Sequence, residues 1–139
     1  SSLSRQANGK GISAQAWQLF RRVREVDSLL GEDATRREQL VEVHPELSFL
    51  AMNAGKPLPA SKHRIDGIYR RRALVTDAFG AAVIESVVTH LAGSRVKEDD
   101  MLDAFAVFWS TQRRVGGRAE CLPANPPLDA SGLPMRIVY

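Results

Sequence analysis

Cysteine is almost missing from this 139-residue chain: Cys121 stands alone, so no disulfide can form within it. One thiol in a chain of this size fits a reducing compartment, and the cytoplasm is the expected location. Long apolar runs are missing too. None approaches the ~20 residues that cross a bilayer, so no membrane partner is expected. The opening stretch, Ser-Ser-Leu-Ser-Arg-Gln-Ala-Asn-Gly-Lys, has no apolar segment of the kind a secretory signal needs. It also has no initiator methionine, which points to trimming or truncation upstream. No internal repeat, low-complexity tract or Gly-rich phosphate loop is visible.

What is there is ordinary globular material. Hydrophobic residues make up 44% and charged residues 25% of the sequence, enough to build a core. The length suits one small domain or part of a larger one. A net charge of +3 is mildly basic, which permits attraction to phosphates without marking a dedicated nucleic-acid-binding domain.

Helical spacing dominates. Ala16, Leu19, Phe20, Val23, Val26 and Leu30 form one stripe of a helix running from a Ser13 cap to Leu30, with Gly31 at its end and a charged loop or extra turn over 32–38. Residues 39–44, Gln-Leu-Val-Glu-Val-His, read as the best strand, stopped by Pro45. Pro45 opens a short helix that closes before Gly55. Ser61 is expected to cap a helix reaching Phe79, with Ile65, Ile68, Val75, Ala78 and Phe79 buried. A second helix spans Ala81 to Leu91, and a last one runs from Asp99 to Val115, burying Met101, Leu102, Phe105, Phe108 and Trp109. The tail holds two apolar pieces, around Cys121 and Ile137, that suit short strands or extended segments covering an edge. One strand with so few partners cannot satisfy its own backbone, so further strands are expected from upstream sequence or from another chain.

Three carboxylates stand out. Glu42 lies among apolar strand residues, where a charge is costly unless paired, protonated or bound to something. Asp100 and Asp103 are three apart at the start of the last helix, about 60° from one another on its surface. Crowded carboxylates repel unless they share a hard cation, and oxygen-only ligands favour magnesium or manganese over zinc. The plainer account of the aspartates is the usual acidic first turn of a helix, and of Glu42 a solvated edge residue. His44 shares a strand face with Glu42 and suits a structural hydrogen bond better than proton transfer; Glu46 suits the helix N-terminus. A basic group, Lys56, Lys62, His63, Arg64, Arg70, Arg71 and Arg72, offers phosphate contacts, with Lys62, Arg64, Arg71 and Arg72 the preferred ones. A solvated helix face is the alternative, and a single interleaved ring, Tyr69, gives base stacking little support.

Three early stretches carry a resemblance: Gly9-Lys10-Gly11-Ile12-Ser13, Val41-Glu42-Val43-His44-Pro45-Glu46 and Asn53-Ala54-Gly55-Lys56-Pro57-Leu58. Three later ones join them: Asp99-Asp100-Met101-Leu102-Asp103-Ala104-Phe105-Ala106, Leu122-Pro123-Ala124-Asn125-Pro126-Pro127 and Gly132 to Tyr139. With these the chain resembles the C-terminal part of a bacterial family generally described as predicted nucleases with a ribonuclease H-like fold. The resemblance implies an α/β fold, a mixed sheet flanked by helices, of which residues 1–139 would be the helix-rich C-terminal portion of a single domain. Glu42 matches the later-strand acidic position, and Asp100 to Ala106 is similar to the helix of Holliday-junction resolvases. The first strands and their aspartate have no counterpart here, so the chain alone is expected to be catalytically incomplete. With them restored, Glu42, Asp100 and Asp103 would hold magnesium or manganese for two-metal phosphodiester hydrolysis on nucleic acid. Two other classes remain open from the residues: an ATPase- or kinase-like phosphate-handling enzyme on a related fold, and a non-catalytic interaction or nucleic-acid-binding module.

Overall fold

The computed structural model describes residues 5–6 and 9–139. The opening stretch read for a targeting signal lies partly outside them. Among the described residues the chain is mostly helical. Its helices are α1 (Ala14–Glu32), α2 (Ala34–Gln39), α3 (Pro45–Met52), α4 (Ile65–Phe79), α5 (Ala81–Leu91) and α6 (Glu98–Val115). One two-stranded sheet follows, β1 (Cys121–Leu122) and β2 (Ile137–Val138). The helix-rich character agrees with the sequence reading, but the described residues form no ribonuclease H-like sheet. Contacts gather the chain into two units, Ser1–Val41 and Glu42–Tyr139.

In the first unit, Ser13 caps α1 as expected, its hydroxyl accepting from the Ala16 amide at 3.1 Å. Gly31 does not end the helix. Asp33 does, because its carboxylate caps α2 through the Thr35 amide at 2.8 Å, and the charged loop expected here becomes a short helix. Arg37 donates to the Leu30 and Gly31 carbonyls, satisfying acceptors that the end of α1 leaves open. The stripe expected to be core is instead largely uncovered: Leu19, Phe20, Val23 and Val26 are 42–62% exposed. Among the described residues of this unit, α1 and α2 supply no second layer to close over it.

In the second unit, α3, α4, α5 and α6 enclose a core of Phe49, Leu74, Val75, Ile84, Met101, Leu102 and Ala106. α3 starts where the sequence places it, with Pro45 in the first turn, and the His44 ring accepts from the Glu46 amide at 3.3 Å. Ser48 on α3 and Ser110 on α6 are both fully buried and share a 2.7 Å hydrogen bond, the polar exception in that seam. Gly80, at φ 86°, lets α4 and α5 meet at a bend of 117°. Among the described residues no single helix is long and apolar enough to cross a membrane; only the bent α4–α5 pair has that length and composition taken together.

Several expectations are corrected here. α4 begins at Ile65 rather than at Ser61, whose hydroxyl instead accepts from the His63 amide at 3.4 Å. Its buried face is Gly67, Arg71, Leu74 and Val75, while Ile65 is 72% exposed and Ala78 is exposed. α6 buries Met101, Leu102, Ala106 and Ser110, leaving Phe108 half exposed against Phe79. In both helices a polar residue holds a core position that an apolar-only count assigns to a neighbour. The expected strand over 39–44 is not regular. Gln39 ends α2, and only Val43 forms a bridge, parallel to Val138, with the Val138 amide donating to the Glu42 carbonyl at 2.8 Å. Of the two forms expected for the tail pieces, short strands are the one observed, antiparallel, pairing Cys121 with Val138 and Leu122 with Ile137. β2 is therefore flanked on both sides, by β1 and by the segment ahead of α3.

Candidate functional site

A buried arginine organises the ground around Asp103. Pro45 sets the start of α3, which places Glu46 in its first turn facing α4. Arg71, 3% exposed, meets that carboxylate with its Nε at 3.2 Å and its Nη2 at 2.9 and 2.8 Å from the two oxygens. Its Nη1 donates to the Ala60 and Gly67 carbonyls at 3.1 and 3.0 Å. Every N–H donor of the guanidinium thus has an acceptor, the condition under which a buried charge is tolerable. The group also lies 5.5 Å from the centre of the Phe49 ring.

The bond to Ala60 ties the 60–64 turn to α4. Gly67 lets it come close: a Cβ there would sit 2.0 Å from the Ser61 carbonyl oxygen, an overlap no side chain permits. Held this way, the turn delivers Lys62 and His63 to α6. Lys62 Nζ lies 2.8 Å from Asp103 Oδ2, with side chains 33% and 20% exposed. His63 Nδ1 lies 3.9 Å from Asp99 Oδ2, an ion pair only when the imidazole is protonated. The Asp103 hydrogen bond is the main cause holding the Lys62 ammonium above its ordinary range; burial opposes it, and the charges of Asp103, Asp99 and Glu46 reinforce it. Asp103 Oδ1 is buried with no hydrogen-bond partner.

The residues singled out in the sequence are distributed as follows. Asp103 is in the site, partly buried. Asp100 is exposed one residue beyond Asp99, on a less favourable part of the helix: positions four apart lie about 40° from each other, positions three apart about 60°. Glu42 is exposed, and its backbone carbonyl holds β2. Among the described residues no three His, Cys, Asp or Glu side chains come together in a group that could hold a metal ion, so Glu42, Asp100 and Asp103 are not gathered. His44 plays the structural part expected of it.

Of the basic group, Lys62 is on Asp103, Arg64 pairs with exposed Asp66 at 3.1 Å and Arg72 with Glu98 at 3.0 Å. Arg70 donates to Asn53 at 3.0 Å. Arg71, expected to reach a phosphate, faces inward and is fully engaged. Sequence reasoning missed Asp99 as a member of the site and Glu46 as the partner of Arg71. The signal for Asp99 was its four-residue spacing from Asp103; for Glu46 there was none, because its partner is 25 positions away.

Comparison with curated proteins gives no match, and comparison with solved structures gives none either. A family model does match, over residues 1–128 of the chain: the protein belongs to the family described as protein of unknown function DUF429.

Proposed function

We propose that this chain contributes to a metal-dependent nuclease, with Asp103 as the principal metal ligand and magnesium or manganese as the cation. The observation that carries the reading is the Asp103 carboxylate, one oxygen of which is buried without a partner while the other meets a cationic side chain. A buried, unsatisfied carboxylate oxygen is costly, and a hard cation is the partner its chemistry suits best. The fit extends to one anchoring point. Glu42 and Asp100, which the structure leaves exposed and does not gather with Asp103, would have to be brought to the ion together with oxygen ligands from upstream sequence or another chain. A cation so held would supply Lewis acidity and a water of lowered pKa. The chain's own part is to place Asp103 on a rigid helix and to offer Lys62, Arg64 and Arg72 at its rim to a phosphate backbone, giving affinity with little sequence choice.

The test is a manganese titration of thermal stability. Wild type should gain Tm, by up to about 2.7 kcal/mol of stabilisation at a hundredfold excess over Kd, and Asp103→Asn should gain none. In the natural full-length protein, Asp103→Asn and Glu42→Gln should each abolish metal-dependent cleavage. Retained cleavage in either removes that residue from catalysis.

One observation favours a second reading, a non-catalytic interaction module: Asp99, Asp103, Glu46 and Glu98 each already face a basic side chain of this chain. A Tm unmoved by manganese or magnesium in wild type would select it.

A further inference from the structure

We propose that α1 pairs with α1 of a second copy of this chain, the two helices lying parallel and in register. The inference is independent of the metal reading of Asp103. α1 has 19 residues and is about 28 Å long. Along it Ala16, Leu19, Val23, Val26 and Leu30 recur at alternating steps of three and four, the spacing of a helix whose apolar seam faces another helix. Leu19, Val23 and Val26 are 47–62% exposed, so the seam is formed and uncovered. Phe20 and Leu29, 42% and 43% exposed, widen it on its two flanks. An apolar strip of this kind on a charged helix marks an interaction surface.

The charges beside the seam identify the occupant and its direction. On the ~3.6-residue period, Arg22 lies about 80° to one side of the stripe's centre and Asp27 about 60° to the other. Both are exposed. Two identical helices side by side and parallel bring opposite flanks together, so Arg22 of each copy meets Asp27 of the other, and two symmetric ion pairs form. Turned antiparallel, like flanks meet, and Arg22 is set against the side that carries Arg22 and Leu29 of the other copy. The charges within one copy leave the matching gap. Arg21 and Arg22 share the single carboxylate of Glu25, at 3.3 and 3.0 Å, while among the described residues no ion pair engages Asp27.

Sedimentation of the chain over a concentration series up to about 0.5 mM, which registers any Kd tighter than millimolar, tests the pairing. Circular dichroism checks that each variant is folded. Wild type should form a reversible dimer, and Val23→Asp should stay monomeric throughout. Arg22→Glu and Asp27→Arg should each weaken the dimer about tenfold, because two partly exposed ion pairs become repulsions, and the double swap should return to within about threefold of wild type. The two positions lie about 140° apart on their own helix, so that rescue cannot arise within one chain. Direction is read from Ala16→Cys in a Cys121→Ser background. Oxidation should give a covalent dimer, whereas antiparallel helices centred on Val23 would hold the two thiols about 20 Å apart, beyond disulfide reach. A wild type that is monomeric throughout overturns the proposal and leaves the seam to a different polypeptide. A dimer that survives Val23→Asp uses another surface, which also overturns it. A dimer lost in Val23→Asp but neither rescued by the double swap nor cross-linked at position 16 refutes the parallel register, and with it the proposal.

Discussion

Replacing Arg71 separates the folded structure from what the sequence pattern suggests. As one of a basic run, Arg71 reads as a surface phosphate contact, and Arg71→Ala should then leave stability within about 0.5 kcal/mol while weakening nucleic-acid binding. The structure demands the opposite. The guanidinium is buried and bonded to Glu46 and to two backbone carbonyls. Removing one member of a fully buried pair costs about 3–5 kcal/mol, but Glu46 is 42% exposed and water recovers part of that, leaving roughly 2 kcal/mol. The Ala60 carbonyl loses its donor and the guanidinium's place over the Phe49 ring is lost, each about 1 kcal/mol. The total is about 4 kcal/mol. For a folded unit of roughly 100 residues this lowers Tm by about 15–30 °C. Urea unfolding and calorimetry of wild type and Arg71→Ala measure it. Glu46→Ala added to Arg71→Ala should cost clearly less than the sum of the single changes, since the charge left behind is gone. An Arg71→Ala protein whose Tm falls by less than a few degrees refutes the reasoning.

Gly67→Ala tests the seat of the 60–64 turn. With backbone oxygens of Ser61 and Ala60 at 2.0 and 3.0 Å from the new Cβ, the turn must move, which should destabilise by about 1–3 kcal/mol and separate Lys62 from Asp103. Stability against pH reads that separation. The Lys62 ammonium is held above its ordinary value of 10.5, so the pairing contributes fully below that value and is lost as pH rises through the higher folded one. Wild type should therefore lose urea resistance above about pH 10.5, and Gly67→Ala and Asp103→Asn should lose less over the same window. Equal losses in all three would show that the pair adds nothing to stability.

Several helix boundaries marked by glycine or proline were readable from sequence, because those residues act locally, although Gly31 lies inside α1. α5 lies between Gly80 and the turn at Gly93, and α3 follows Pro45. Helix phase was less readable. Counting apolar residues assigns Ile65 and Ala78 to the core of α4, but the position is taken by Arg71, whose burial depends on a carboxylate far off in sequence. The same limit governs residues 39–44. Their β-rich composition is genuine, yet a ladder needs a partner, and the partner is Val138 near the other end of the chain. Asp103 stands out in the sequence because acidic spacing on a helix is local; its engagement with Lys62 does not, because that depends on how Gly67 lets a turn approach.

The hydroxyl pair joining Ser48 to Ser110 acts as an indexing pin between α3 and α6. Hydrocarbon surfaces tolerate slippage, since one methyl replaces another at little loss. Two hydroxyls sealed from water do not: shifting either helix by a residue strands both, at about 1–3 kcal/mol apiece. Alternative alignments of the two helices are thereby disfavoured, and Asp103, two turns along from Ser110, inherits a fixed position relative to Glu46.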